Sequence, residues 1–208
     1  TDFAIGAFQG NGIDDRDITG MPFQPDLVFA RRVSGAHIAL RTSAYSGDLS
    51  GGLGSGIGDS SNVIQEFSTN GFQVGTGATV NTANTITRWF SFKAGSNFGV
   101  GSYTGNGIVD REIGAVGFQP DLVWVKSSGI NAGVHRSSSL VGDVSQSFNA
   151  AANPTGTIKS FSSGGFTVGS NASVNANSTT YRYAAWKIPA STGTLTASVV
   201  DSSGDDVS

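Results

Sequence analysis

Cysteine is absent from the 208 residues, which removes disulfide staples, thiolate zinc sites and cysteine nucleophiles together. Stability must then come from packing and association. Charge is scarce as well: Asp, Glu, Lys and Arg make up 13% of the chain, against about 25% in an average globular protein. The net charge is −3 and no segment gathers enough Lys or Arg for a phosphate-binding face, so nucleic acid is not an expected partner. Nothing near Thr1 has the basic, apolar and small-residue order of a secretory signal, and no apolar run approaches the roughly 18 residues of a membrane span. A soluble chain without membrane insertion is expected. Thr1 fits either a removed initiator Met or the interior of a longer protein.

What is present points to β-structure. Hydrophobic residues reach 38%, with 13 Phe, 4 Tyr and 3 Trp, while 30 Gly are scattered as short turn signals. The strongest feature is an internal repeat. Phe3-Ala-Ile-Gly-Ala-Phe-Gln-Gly-Asn-Gly-Ile13 matches Phe98-Gly-Val-Gly-Ser-Tyr-Thr-Gly-Asn-Gly-Ile108, an offset of 95 positions (Phe3 to Phe98). Asp15, Arg16 and Ile18 pair with Asp110, Arg111 and Ile113, and Phe23-Gln-Pro-Asp-Leu-Val28 recurs whole as Phe118-Gln-Pro-Asp-Leu-Val123. Arg41, Gly47, Asp48 and Ser50 pair with Arg136, Gly142, Asp143 and Ser145. After Gly51 to Gly58 the offset falls to 94, and Phe67-Ser-Thr-Asn-Gly-Phe-Gln-Val-Gly75 meets Phe161-Ser-Ser-Gly-Gly-Phe-Thr-Val-Gly169. Val80-Asn81, Arg88 and Lys93 then meet Val174-Asn175, Arg182 and Lys187. A period this long describes two domains and not a solenoid, whose repeats run about 20 to 50 residues.

Apolar residues alternate at period two over short runs, and no window sustains a helical period. Strands are expected at Phe3 to Phe8, Ile13 to Ile18, Leu27 to Val33, His37 to Thr42, Val63 to Ser68, Phe72 to Val74 and Ile86 to Lys93, with equivalents in the second copy. Gly10-Asn11-Gly12 reads as a tight hairpin joining the first two. Pro25, which cannot donate to a ladder, belongs at the start or edge of a strand. Gly193 to Val200 is a candidate extra strand, and Asp201 to Ser208 a polar tail or linker. The expected fold is all-β, with two tandem antiparallel β-sandwich (jelly-roll-like) domains at residues 1–95 and 96–190, followed by residues 191–208.

In the second copy the string Tyr103-Thr-Gly-Asn-Gly107, Arg111-Glu-Ile113, Gly117-Phe-Gln-Pro-Asp-Leu-Val-Trp-Val-Lys126, Gly164-Gly-Phe-Thr-Val-Gly169 and Tyr181-Arg-Tyr-Ala-Ala-Trp-Lys187 resembles a repeat of tailed-bacteriophage virion proteins, which are tail-fibre-like or concanavalin-like β-sandwich modules. The likeness spans nearly all of both copies. It implies a fold and a virion setting but assigns no catalytic residue. The first copy departs where Phe29 stands for Trp124 and Arg31 for Lys126.

Several residue groups could carry chemistry. Asp14, Asp15 and Asp17, echoed by Asp110 and Glu112, suggest a glycosidase carboxylate pair or a calcium site, against a solvated or salt-bridged strand after a hairpin. Alternation would put Asp15 and Asp17 on one face and Arg16 on the other. Asp26 and Asp121 follow Pro in both copies, where a turn or backbone cap outweighs catalysis. His37 and His135 do not align, His135 falling opposite Leu40, and no convincing nucleophile elbow supports a Ser/His/Asp triad. Gly51 to Gly58 lacks the Lys-Ser/Thr end of a phosphate loop; it is a flexible loop, or a contact loop that orders against a neighbouring subunit. Tyr45, Trp89, Trp124, Tyr181, Tyr183 and Trp186 could stack on sugar rings, although alternation makes the three Trp inward residues.

No catalytic, cofactor-binding or metal-binding residue is therefore assigned, no cofactor is expected, and the ligand-binding residues stay unassigned. The expectation is a non-enzymatic structural or adhesive phage virion protein, assembled in the host cytoplasm: a tail-fibre or tail-associated module contacting host surface glycans, or a capsid or tail decoration protein on the major shell or tube protein. Its partners would be other virion proteins, copies of itself and a host-surface glycan. A polysaccharide-cleaving enzyme is the weaker third alternative.

Overall fold

The computed structural model of the chain describes residues 2–34, 37–149 and 153–189. The candidate strand at Gly193 to Val200 and the polar tail beyond it lie outside these. Every regular element among the described residues is a β-strand, and every ladder is antiparallel. The first repeat contains β1 (Phe3–Gln9), β2 (Arg16–Thr19), β3 (Leu27–Arg32), β4 (Ala39–Thr42), β5 (Gly51–Gly52), β6 (Ile64–Ser68), β7 (Gly71–Val74) and β8 (Ile86–Phe92). The second contains β9 (Phe98–Thr104), β10 (Arg111–Ile113), β11 (Leu122–Ser127), β12 (Val134–Ser137), β13 (Gln146–Ser147), β14 (Ile158–Ser162), β15 (Gly165–Val168) and β16 (Thr180–Trp186). The two-residue strands β5 and β13 have no counterpart in the sequence expectation, and β5 opens the segment expected to be a flexible loop or a contact loop.

Each repeat builds the same two sheets. The first has a five-stranded sheet ordered β1-β8-β3-β4-β5 and a three-stranded sheet ordered β2-β7-β6; the second repeats these as β9-β16-β11-β12-β13 and β10-β15-β14. Even an irregularity is duplicated: the β6–β7 ladder slips between Ile64 and Glu66, and β14–β15 slips between Ile158 and Ser160. A bulge re-aims the extra residue, here Gln65 and Lys159.

The expected hairpin at Gly10 to Gly12 is not formed. β1 pairs with β8 along its full length, whereas β2 pairs with β7 in the other sheet. Gly10-Asn11-Gly12 instead carries the chain from one sheet to the other, with Gly12 and its counterpart Gly107 both at φ 71°. Asp15 and Asp110, at φ 52° and 61°, precede their strands, so the alternation expected across Asp15, Arg16 and Asp17 does not hold.

Three apolar clusters follow. Ile18, Val28, Ala30, Ile64, Phe72 and Val74 fill the space between the two sheets of the first repeat. Ile113, Val123, Val125, Ile158, Phe166 and Tyr183 do so in the second. The third lies between repeats: Leu27, Phe29, Leu40, Tyr45 and Leu53 meet Phe98 and Ala184, with Trp124, Phe148 and Trp186 packed against them. The five-stranded sheets thus face one another across an aromatic seam, where the Trp124 ring centroid lies 5.0 Å from those of Phe29, Phe148 and Trp186. Leu27-Val-Phe-Ala30 is apolar without alternation because both faces of β3 are covered.

Candidate functional site

The polar residues shared by the repeats hold backbone. Asn81, fully buried, accepts from the Asn11 amide at 3.1 Å and donates to the Ile13 and Gly75 carbonyls at 2.8 and 2.9 Å. Asn175 does the same for Asn106 and Ile108, at 3.0 and 2.8 Å. Arg16 donates to the Gln9 carbonyl and lies 5.1 Å from the Phe8 ring; Arg111 donates to the Thr104 carbonyl and lies 5.2 Å from Tyr103. Asp26 and Asp121 each accept a backbone amide at 2.8 Å, from Ala94 and Ile188, which is the capping role their sequence position suggests. Arg41 and Arg136 reach the carbonyls of Gly47 and Leu140 at 2.9 and 2.8 Å, while Asp48 and Asp143 accept the amides of Asn62 and Gly156. Buried carbonyls and amides that miss a ladder partner need such groups.

The acidic cluster is claimed by the bulge residues. Gln65 donates to Asp14 and Asp15 at 3.1 and 3.3 Å, and Lys159 pairs with Asp110 at 2.5 Å, a hydrogen bond that raises the Lys159 pKa. Asp17 and Glu112 meet Gln73 and Ser162. Among the described residues no group of three or more His, Asp or Glu side chains is placed to hold a metal ion. His37 and His135 lie apart from these carboxylates: burial lowers both pKa values, and the His135 ring rests 4.7 Å from Phe148. Among the described residues neither histidine is brought to a Ser and Asp in triad order.

Gly51 to Gly58 does order against a neighbour, and the neighbour is the second repeat of its own chain. Gly56 and Asp59 donate their amides to the Ile130 and Ser128 carbonyls at 2.8 and 2.9 Å, and Gly133 donates to Leu53 at 2.9 Å. Glycine is required by contact: a Cβ on Gly51 would stand 2.4 Å from the Tyr45 hydroxyl, and one on Gly58 3.1 Å from the Ser128 carbonyl. The loop delivers Asp59 to a basic pair. Arg182 donates to Asp59 at 2.6 Å with 8% and 13% of the two side chains exposed, and stacks 3.6 Å from the Tyr45 ring, whose hydroxyl donates to the same carboxylate at 3.2 Å. Burial, with Asp59 beside it, pushes the Tyr45 pKa up. Lys126, across the ladder from Arg182, donates to the Ser127 and Gly129 carbonyls at 2.6 Å, and burial pulls its pKa down to about 8. Sequence reasoning missed this cluster because Asp59 lies in the stretch where the repeat alignment slips and has no partner position to draw attention to it.

The six candidate sugar-stacking aromatics are inward. Tyr181 and Tyr183 belong to the second-repeat core, Trp89 packs on the first, and Tyr45, Trp124 and Trp186 line the seam. Where the seam reaches the joint between repeats it opens to solvent. A cavity of about 270 Å³ is lined there by Phe3, Phe92, Phe98 and Trp186 together with Asp2, Lys93 and Lys187. It presents two aromatic pairs and two ammonium groups related by the repeat, a surface suited to an anionic or ring-shaped ligand.

No curated protein and no solved structure matches the chain. A family described as a domain of unknown function, DUF7483, matches residues 93–205, just over half of the chain and all of the second repeat. The chain therefore belongs to the family of the domain of unknown function DUF7483.

Proposed function

We propose that the chain is a non-enzymatic structural and adhesive component of a tailed-bacteriophage virion, built as two tandem jelly-roll-like β-sandwich domains at residues 1–95 and 96–190. The observation that carries this reading is the use of the shared polar residues. Asn81 and Asn175, Arg16 and Arg111, Asp26 and Asp121, and Arg41 and Arg136 spend their hydrogen bonds on the backbone of their own repeat, as framework residues do. A rigid duplicated framework with polar loops suits a particle surface, where loops and edges meet neighbours. In the tail-fibre form of the proposal, the cleft between Phe3, Phe92, Trp186, Lys93 and Lys187 contacts a host surface glycan. The second form, a capsid or tail decoration protein, is favoured by the burial of nearly all Trp and Tyr side chains in cores and seam.

The test is the location and copy number of the chain in intact particles, by labelled-antibody electron microscopy and quantitative mass spectrometry, together with glycan-array binding by wild type and by Lys93→Gln/Lys187→Gln. Tail labelling with array binding lost in the double variant supports adhesion. Stoichiometric labelling of a shell or tube supports decoration. Absence from particles, or release of reducing ends from a host polysaccharide, overturns the proposal.

A further inference from the structure

We propose that the chain pairs with a second copy of itself through β1, the two strands running antiparallel about Ile5 so that their five-stranded sheets join edge to edge. β1 ends the five-stranded sheet of the first repeat and has β8 as its one ladder partner among the described residues. Lys93 donates to the Asp2 carbonyl and Gly10 to that of Thr85, so the alternate residues between them, Ala4, Gly6 and Phe8, bond across to β8. Phe3, Ile5, Ala7 and Gln9 therefore aim their amides and carbonyls away from the sheet. Arg16 donates to the Gln9 carbonyl; among the described residues no hydrogen bond reaches the backbone of Phe3, Ile5 or Ala7 from that side.

Native sheets guard an open edge of this length with a charge, a proline or a cover. β1 reads Phe-Ala-Ile-Gly-Ala-Phe-Gln, without charge or proline. Its seam-side face is apolar and bare, with Phe3 45% and Ile5 68% exposed. That strip continues an interface already formed: Phe3 lies 5.1 Å from Phe92, which lies 5.3 Å from Phe98 of the other repeat. The equivalent strand of the second repeat is guarded. On β9 the Phe98 carbonyl accepts the Gly95 amide, the Thr104 carbonyl accepts Arg111, Phe98 is buried, and Ser102 stands where β1 has Ala7.

A second copy is the occupant this edge fits. With Ile5 facing Ile5, Phe3 of each copy faces Ala7 of the other, large against small, and the facing pairs exchange about six backbone hydrogen bonds, two for each pair. The same register carries Asp2 of each copy to Phe8 of the other, over whose ring Arg16 lies. Unlike charges thus meet at both ends of an antiparallel pairing, and like charges would meet in a parallel one; at exposed positions this sets direction more than strength. A contact that uses the same strand on both copies closes into a dimer and does not grow into a filament. The inference concerns self-association alone and does not depend on the virion reading, which particle location decides.

The test uses the full chain, whose lack of cysteine lets a single introduced one report on the two-fold axis. Sedimentation velocity is expected to show a monomer–dimer equilibrium between about 1 μM and about 1 mM. Ile5→Lys weakens the dimer by about tenfold or more at an unchanged melting temperature of the dilute chain, while Ile130→Lys, equally exposed at 67% but placed between β11 and β12, leaves it intact. Under mild oxidation Ile5→Cys forms a covalent dimer, because its two Cα atoms stand about 5.5 Å apart at the centre of the pairing. Ala7→Cys does not, its two copies lying about 13 Å apart along the strands. A chain that stays monomeric at about 1 mM, a dimer indifferent to Ile5→Lys, or cross-linking as fast at Ala7→Cys as at Ile5→Cys overturns the proposal. So do a trimer as the main species and nuclear Overhauser contacts from residues 190–208 to Ile5 in the dilute chain, which would give the edge to the chain's own C-terminus.

Discussion

Arg182 Nη1 donates to Asp59 Oδ2 at 2.6 Å, joining residues 123 positions apart across the seam between the repeats. The Tyr45 hydroxyl shares the carboxylate and the Tyr45 ring lies under the guanidinium, so three side chains from two repeats meet at one buried contact. A buried pair of this kind matters most when one member is removed, because the other is left charged and unsolvated. Asp59→Asn or Arg182→Met alone is expected to cost about 3 kcal/mol in urea denaturation, and the double variant clearly less than the sum. Strictly additive losses below about 0.5 kcal/mol each would show that the pair does not hold the seam.

Lys126 gives the fold a pH signature. Burial lowers its pKa from the ordinary 10.5 to about 8, so between those values the unfolded chain binds more protons than the folded one, and stability rises with pH. The burial penalty is fully present below pH 8 and is relieved as pH climbs toward 10.5. Subtracting the melting curve of Lys126→Met from that of wild type isolates this group from the exposed lysines. The difference should move in favour of wild type across that window, and a flat difference would contradict the burial effect.

Asn81 and Asn175 occupy equivalent, fully buried sites and each satisfies backbone groups of the sheet-crossing loop. Replacing either by Ala strands those groups. Each substitution is expected to cost about 3 kcal/mol by chemical denaturation, with the two losses alike. Strongly unequal losses would argue that the two loops are not energetically equivalent.

Gly51→Ala tests whether the inter-repeat loop is sterically determined. The added methyl would stand 2.4 Å from the Tyr45 hydroxyl, so the loop or the Tyr45–Asp59 contact must shift, at about 2 kcal/mol. Gly95→Ala at the joint, where nothing lies within 4 Å of the new atom, serves as the control and stays within about 0.5 kcal/mol. Comparable melting temperatures for the two variants would refute the steric account.

Much of the strand inventory was legible because strand formation is a local matter. Alternating Phe3 to Phe8, the turn glycines and the Pro25 boundary each act within a few residues, and β1, β3, β6, β7 and β8 lie where these local signals put them. Pairing was less legible. Gly10-Asn11-Gly12 has the composition of a hairpin, yet β1 finds its partner at β8, because the apolar faces of β1 and β2 belong to different layers. The acidic cluster stayed open between chemistry and a plain strand for a related reason: what holds Asp14 and Asp15 is a bulge residue about 50 positions away, and what holds Asp17 is Gln73 on the neighbouring strand.

By itself the sequence determined that this is an all-β chain made twice from one plan, since periodicity, turn chemistry and repeated residues are written along the chain in order. Only the tertiary structure decided that the two five-stranded sheets face each other, that Gly51 to Gly58 locks onto the second repeat, and that Asp59 neutralises Arg182 while Arg88 keeps its charge exposed. The physical reason is that these outcomes depend on contacts between distant segments, where packing area and paired charge choose among arrangements that local propensity leaves equal.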